Sequence, residues 1–274
     1  DYYGPTAQEL DGLGIAHRAV SIEELGSRLP FVNLDGVHSA FEAEGAGMLF
    51  ARRIVEDLAR WLGQNGAELR PNSRVTAVDP EAATVTVDGQ AYGADVVVVA
   101  AGAWIGDLLP EHARRAVPSR QLVLYLDPPA QYAAAWAAAP VVVDMGADYG
   151  AYVLPPREGT RLKIGDHVFT RRGHGSDDRI ASEADVEPVL GALNRAFRDA
   201  SDYKILEHKV CYYTVTDDER FVVEPIGGAG WVVSACSGHG FKLGVTVGDT
   251  LARALDGEIP AAAATRYLAG LGSL

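Results

Sequence analysis

Between residues 48 and 62 the apolar positions Leu49, Ile54, Val55, Leu58, Ala59 and Leu62 recur at helical spacing. The stretch predicts an amphipathic helix, and Gly66 supplies its stop. Alternating segments follow at 74–78 and 84–87, with Asp88-Gly89 as a hairpin turn. At 96–101 the pattern changes to an unbroken valine and alanine run, which suits a strand buried on both faces, as in a parallel sheet.

The middle of the chain is patterned differently. Strands are predicted at 121–126, 140–143, 151–154, 161–169 and 204–216, with one good helix at 185–198. Such a series forms a mixed or antiparallel layer of its own. The alanine cluster at 133–139 reads as a surface helix or loop. Residues 1–40 mix helical and loop signals, including a capping-box start at Ser21, without a clear sheet. Towards the end, strands at 221–225 and 231–235 lead into a glycine-rich turn and a helix to about residue 255, stopped by Gly257. The fold class is therefore α/β with an α+β layer, and neither an internal repeat nor a low-complexity segment is present.

Composition narrows the partners. Lysine plus arginine number 24 against 37 acidic residues, a formal charge of −13. That balance argues against nucleic acid or an anionic membrane surface as the main partner. The longest apolar runs, 96–101 and 231–236, are too short to span a membrane, and no secretory signal is visible. Two cysteines, Cys211 and Cys236, make no disulfide framework, so a reducing cytoplasmic setting is expected. The histidines show no ligand spacing, and no metal is expected.

Gly238, Gly240 and Gly244 lie between a buried strand and a helix, where backbone N–H groups and the positive helix end face a group carrying negative charge. The spacing is one residue longer than the dinucleotide fingerprint, and only thirty residues follow Gly244, so an independent NAD site is not expected. Glycines needed only for a tight turn remain the alternative.

Ser237-Gly-His-Gly-Phe-Lys242, preceded by Cys211-Tyr-Tyr-Thr-Val-Thr-Asp-Asp-Glu-Arg-Phe221, resembles the closing segment of the monomeric sarcosine oxidase and N-methyltryptophan oxidase-like family, within the D-amino acid oxidase superfamily. Arg161-Leu-Lys-Ile-Gly-Asp-His167 is similar to the family's L-K-x-G-x-H strand. The resemblance implies FAD, attached through the sulfur of Cys211, and a flavin-facing loop comprising Gly238, His239, Gly240, Phe241 and Lys242. It makes Lys163 the residue of oxygen activation, Lys242 a holder of the substrate carboxylate, and Tyr152 and Tyr213 substrate-binding residues. Val75, Ala101, Gly102 and Trp104 match cofactor-contacting positions; His167 and His239 complete the catalytic set. The family opens with a strand–G-x-G-x-x-G–helix unit for the FAD pyrophosphate, and an arginine for the substrate carboxylate lies there too. This sequence has no such opening.

Alternation offers a separate test. Along 161–169, Lys163, Gly165 and His167 share one face and Leu162, Ile164 and Asp166 the other; along 211–215, Cys211 and Tyr213 share a face. A fixed ammonium at Lys163 suits charge developing on oxygen, although a lysine snorkelling to water has the same pattern. Cys211 must be a thiolate to react, and Lys209 on its strand face supplies positive charge; a buried inert thiol is the alternative. Packing tyrosines, a structural His239 and a solvated Lys242 are alternatives for the rest.

The resemblance implies an FAD-binding Rossmann-like domain over 41–112 and 217–274, lacking its first βαβ unit, and a substrate-binding domain over 1–40 and 113–216. The expected reaction oxidises a secondary or N-methyl amino acid to an imine, with O2 reduced to hydrogen peroxide. The competing readings are an FAD-dependent dehydrogenase or biosynthetic imine-forming oxidase on the same scaffold, and an inactive, flavin-free fragment used for binding.

Overall fold

The computed structural model describes residues 3–145 and 151–274. In chain order its elements are α1 (Tyr3–Gly12), β1 (His17–Val20), α2 (Ile22–Arg28), β2 (Ala40–Ala43), α3 (Ala51–Gln64), β3 (Val75–Asp79), β4 (Thr84–Val87), β5 (Gln90–Gly93) and β6 (Val97–Val99). Then come α4 (Ile105–Leu108), β7 (Val117–Asp127), α5 (Ala133–Ala138), β8 (Val142–Met145), β9 (Ala151–Leu154), β10 (Leu162–Gly165) and α6 (Glu183–Ala196). The last are β11 (Lys204–Val215), β12 (Val222–Ile226), β13 (Gly230–Ser234), α7 (Gly240–Leu255) and α8 (Ala261–Leu268). Two compact units result. The first comprises Asp1–Met48, Gln121–Val168 and Arg179–Cys211; the second comprises Leu49–Arg120, Phe169–Asp178 and Tyr212–Leu274.

The first unit is built on a five-stranded sheet in the order β11–β7–β10–β9–β8. In its centre β10 runs antiparallel to both neighbours, with Ile164 opposite Leu124 and Val153. Leu124, Leu126, Val153, Leu162 and Ile164 are all at most 1% exposed, so one face of the sheet is a dry layer. Helix α6 packs on β9 and β10 and buries Val189, Ala192 and Leu193. Its start is fixed by a capping box between Ser182 and Asp185.

Three expectations are corrected here. The strand anticipated at 161–169 stops at Gly165, because the Asp166 carboxylate accepts from the Val168 N–H and turns the chain. The alanine cluster is not merely superficial: its Trp136 is fully buried, stacked on Phe31 at 3.6 Å between centroids and donating to the Tyr203 hydroxyl. The first forty residues do contribute to a sheet, since β1 and β2 pair antiparallel. Charge rather than apolar alternation marks that pair: Arg18 and Arg28 each bridge Glu24 and Glu42.

In the second unit β13 pairs antiparallel with β12 and parallel with β6, giving the order β12–β13–β6. Val99, Ile105, Leu109, Val222 and Val232 form one core cluster; Val223, Trp231, Leu251 and Ala264 form another. A second sheet, β3–β4–β5, contains the anticipated hairpin, and Asp88 and Gly89 both take positive φ (50° and 77°), the form a two-residue hairpin turn requires. The valine run is buried on one side only: Val99 is 5% exposed, whereas Val96 and Val98 are exposed. β6 lies at the edge of its sheet, and the face that carries Val96 and Val98 is uncovered. Helix α3 forms close to where it was expected, yet none of its residues is buried, and Val55, Leu58 and Trp61 are 54–58% exposed.

Candidate active site

Register in the first unit's sheet decides which side chains share its open face. Lys163 lies opposite Tyr125 on β7 and Leu154 on β9, and Gly165 lies opposite Val123 and Tyr152. Directly opposed residues project to the same side. The face away from the dry layer therefore carries Tyr152, Lys163 and Gly165. His167, just past the strand end, stays close: its ring lies 5.2 Å from that of Tyr152. The Lys163 ammonium is 5.3 Å from the Tyr152 ring centroid, within cation–π range.

Cys211 lies on β11, which β7 separates from β10. Lys163 interacts electrostatically with both Cys211 and Lys209. Burial pushes the Lys163 amine below the ordinary lysine value; Cys211 opposes that shift and Lys209 adds to it. Arg161 stacks over Tyr125 at 4.0 Å and pairs with Glu207, closing one end of the same face. Asp166 points away from this group; its burial pushes the carboxyl above its ordinary value.

The second unit holds the glycine turn. After β13 the backbone takes positive φ at Ala235 (54°), Ser237 (43°) and Gly238 (75°) before α7 begins. Two fully buried non-glycine residues in the left-handed region are costly, and clustered strain of this kind belongs to functional turns. Thr214 holds the turn in place: its hydroxyl accepts from the Ala235 N–H at 3.0 Å and its carbonyl from the Ser237 N–H at 2.9 Å.

The glycines of the turn are filled from within the chain. A Cβ on Gly238 would stand 3.0 Å from the Tyr213 ring, and one on Gly240 would stand 2.6 Å from the Cβ of Cys236. Tyr213 in turn meets Phe169 edge to face at 6.3 Å. His239 is the N-cap of α7 without a side-chain capping bond, and its N–H donates to the Cys236 carbonyl at 2.7 Å. Phe241 is exposed, as is Lys242 in the first helical turn. Gly244 faces open space.

The remaining positions lie elsewhere in this unit. Val75 opens β3 opposite Val87. Ala101 packs partly against the Val99 core, and Gly102, with φ of 52°, starts a short 3₁₀ turn to Trp104. The Trp104 indole rests against Gly175 and donates to the Ser176 hydroxyl at 2.9 Å. That segment is further tied by His174 to Asp107 and by Asp177 to the Tyr212 hydroxyl.

Tyr152, Lys163 and His167 are thus drawn together in the first unit, with Cys211 in electrostatic reach of Lys163, and Tyr213 with the 235–240 turn in the second. Sequence reasoning gave no separate role to Tyr125, Arg161, Glu207 or Thr214. Only strand order could reveal the first three, because β7 inserts between β10 and β11. Among the described residues no cluster of three or more His, Cys, Asp or Glu side chains is suited to a metal ion, and no helix is long and apolar enough to cross a membrane.

The chain is similar to known proteins over most of its length. A family model described as FAD dependent oxidoreductase matches residues 4–254. Monomeric sarcosine oxidase of Bacillus sp. (strain B-0618) is 27% identical over 250 residues, covering 86% of this chain and 63% of that protein. N-methyl-L-tryptophan oxidase of Yersinia pestis (strain Pestoides F) is 29% identical over 235 residues, covering 80% of this chain and 59% of that protein. The chain therefore spans about three-fifths of the length of these relatives. Among solved structures, a modified fructosyl peptide oxidase from Aspergillus nidulans has a TM-score of 0.75 at 21% identity, over 93% of this chain and 67% of that one. L-proline dehydrogenase from P. horikoshii has a TM-score of 0.79 at 16% identity, over 98% and 73%. At these identities the structures establish a shared fold.

Proposed function

The chain belongs to the family of FAD dependent oxidoreductases, and from that premise we propose that it serves flavin-dependent oxidation of a secondary or N-methyl amino acid to an imine, with O2 reduced to hydrogen peroxide. The observation that carries the reading is the open face of the first unit's sheet, where Lys163 and Gly165 stand opposite Tyr125 and Tyr152 and the His167 ring lies 5.2 Å from that of Tyr152. The residues fit the cofactor. Cys211 is a half-buried thiol outside any disulfide, and Lys163, which interacts with it electrostatically, supplies the kind of positive charge that the thiolate for a thioether link to FAD requires. Bound FAD supplies the acceptor for the substrate's hydride and the electrons for oxygen.

The chain's own residues do the positioning. Lys163 holds a desolvated positive charge where negative charge develops on oxygen, and low hydration strengthens it. Tyr152 and Tyr213 are each substrate-binding residues, His167 and His239 offer hydrogen bonds, and Lys242 takes the substrate carboxylate. Val75, Ala101, Gly102, Trp104, Gly238, Gly240 and Phe241 are the further cofactor contacts. The FAD-binding domain runs over 41–112 and 217–274, and the substrate-binding domain over 1–40 and 113–216. The setting is a reducing cytoplasm, in which Cys236 stays a thiol and Cys211 is kept out of a disulfide and available to the flavin. The two curated relatives, named for oxidation of sarcosine and N-methyl-L-tryptophan, support this substrate class.

Acid precipitation of the flavin-loaded protein tests the link: the pellet stays yellow, and Cys211→Ser leaves it colourless. Lys163→Met is expected to slow reoxidation by O2 by about 10²–10³-fold, the usual cost of removing one preorganised charge-stabilising group, with flavin reduction far less affected. Equal slowing of both half-reactions would remove Lys163 from the oxygen step.

A further inference from the structure

Gly165 sits in regular strand with neighbours on both sides, and its φ is not in the left-handed region. Backbone conformation therefore does not call for glycine. Glycine inside a strand weakens it, and its common justification is another group approaching closely. That group is the phenol of Tyr152. A Cβ on Gly165 would stand 2.7 Å from the phenol oxygen, 2.8 Å from Cζ and 3.0 Å from Cε1. The ring thus lies across β10 in the space a side chain would have taken, where a strand residue's side chain ordinarily stands up from its own strand.

The two residues that flank this slot are Lys163 and His167. From the slot the Tyr152 ring reaches both, at 5.3 Å from the Lys163 ammonium and 5.2 Å from the His167 ring. We propose that Gly165 is a positioning residue: it fixes the height of the Tyr152 phenol above the open face, and that height sets the bulk of the N-alkyl group the site admits. The specificity clause rests on the amine-oxidase reading above; the positioning clause does not. With Gly165→Ala the ring cannot sidestep by moving only its tip, because Cζ and Cε1 are blocked along with the oxygen. It lifts away from the strand, into the room above the face.

A double-mutant cycle in thermal stability, read without cofactor or substrate, decides the positioning clause. Gly165→Ala is expected to lower Tm by about 3–8 °C in the native background, as overpacking does. In a Tyr152→Leu background the same change should cost little; should the single variant not fold, recovery of folding in the double variant is the same result. An equal loss in both backgrounds would overturn the proposal. In the flavin-loaded protein Gly165→Ala should raise KM for N-ethyl and N-propyl amino acids about tenfold or more relative to the N-methyl compound, with kcat changing less. A uniform fall in kcat/KM across the panel would overturn the specificity clause. If the unmutated protein oxidises none of these amines, the amine-oxidase reading fails with that clause, and the thermal cycle still decides the role of Gly165.

Discussion

The central sheet of the first unit and helix α3 of the second carry equally clear apolar patterns, and they end in opposite environments. On β10 the alternate residues Leu162 and Ile164 are at most 1% exposed beneath α6, while Lys163 faces the other way. On α3 the apolar stripe is just as regular, yet Val55, Leu58 and Trp61 remain more than half exposed. Periodicity thus identifies an element and its sticky side; whether anything covers that side depends on residues distant in sequence. The family relatives are longer than this chain, which spans 63% of one and 59% of the other. Val96 and Val98 at the edge strand β6 belong to the same uncovered class.

Stability measurements would break or sharpen this contrast. Ile164→Ala should cost about 2–5 kcal/mol in denaturant unfolding, since it opens a cavity between Leu124 and Val153 in a layer that cannot collapse freely. A loss under 1 kcal/mol would mean the layer is looser than its burial indicates. Leu58→Ser with Trp61→Gln on α3 should move stability by only about 0.5 kcal/mol, the ordinary range for surface changes. A loss approaching the core value, together with a Tm that rises with protein concentration, would show that a second copy of the chain covers the stripe in solution.

Part of the first unit was legible because β9, and β10 over its first three residues, alternate between buried and half-buried positions. β9 was expected at its observed limits, α6 within two residues, and the two-faced character of β10 followed from period two alone. The overshoot to 169 arose at Asp166, whose side chain offers the backbone a turn that hydrophobicity does not register. At the site, alternation put Lys163, Gly165 and His167 together. It could not show that Tyr152 reclines on Gly165, because that depends on the 152–165 register. Nor could it show Thr214 pinning the glycine turn, a bond across a separation of 21 residues. β1 and β2 escaped notice for another reason: their stability is written in charge.

That difference supplies the smallest effect. Arg28 and Arg18 hydrogen-bond the Glu42 carboxylate at 2.8–3.0 Å and hold its pKa at about 2, below the ordinary 4.5; Glu24 is lowered too, chiefly by its hydrogen bonds from Arg18. A carboxylate with a depressed folded pKa stabilises fully above its unfolded value, and the contribution disappears as pH falls from 4.5 towards 2. Amide exchange across β1 and β2 should quicken over that window, and molar salt should reproduce part of the change, because the groups are solvent-facing and screened. Asp166 in the first unit has the opposite sign: burial raises its pKa, so protonation relieves strain there, and the central strands should not loosen over the same acid range. If β10 and β1 lost protection together, the charged β1–β2 pair and the apolar sheet would be one cooperative structure, and the separation of their stabilising forces drawn from burial and ion pairing would be wrong.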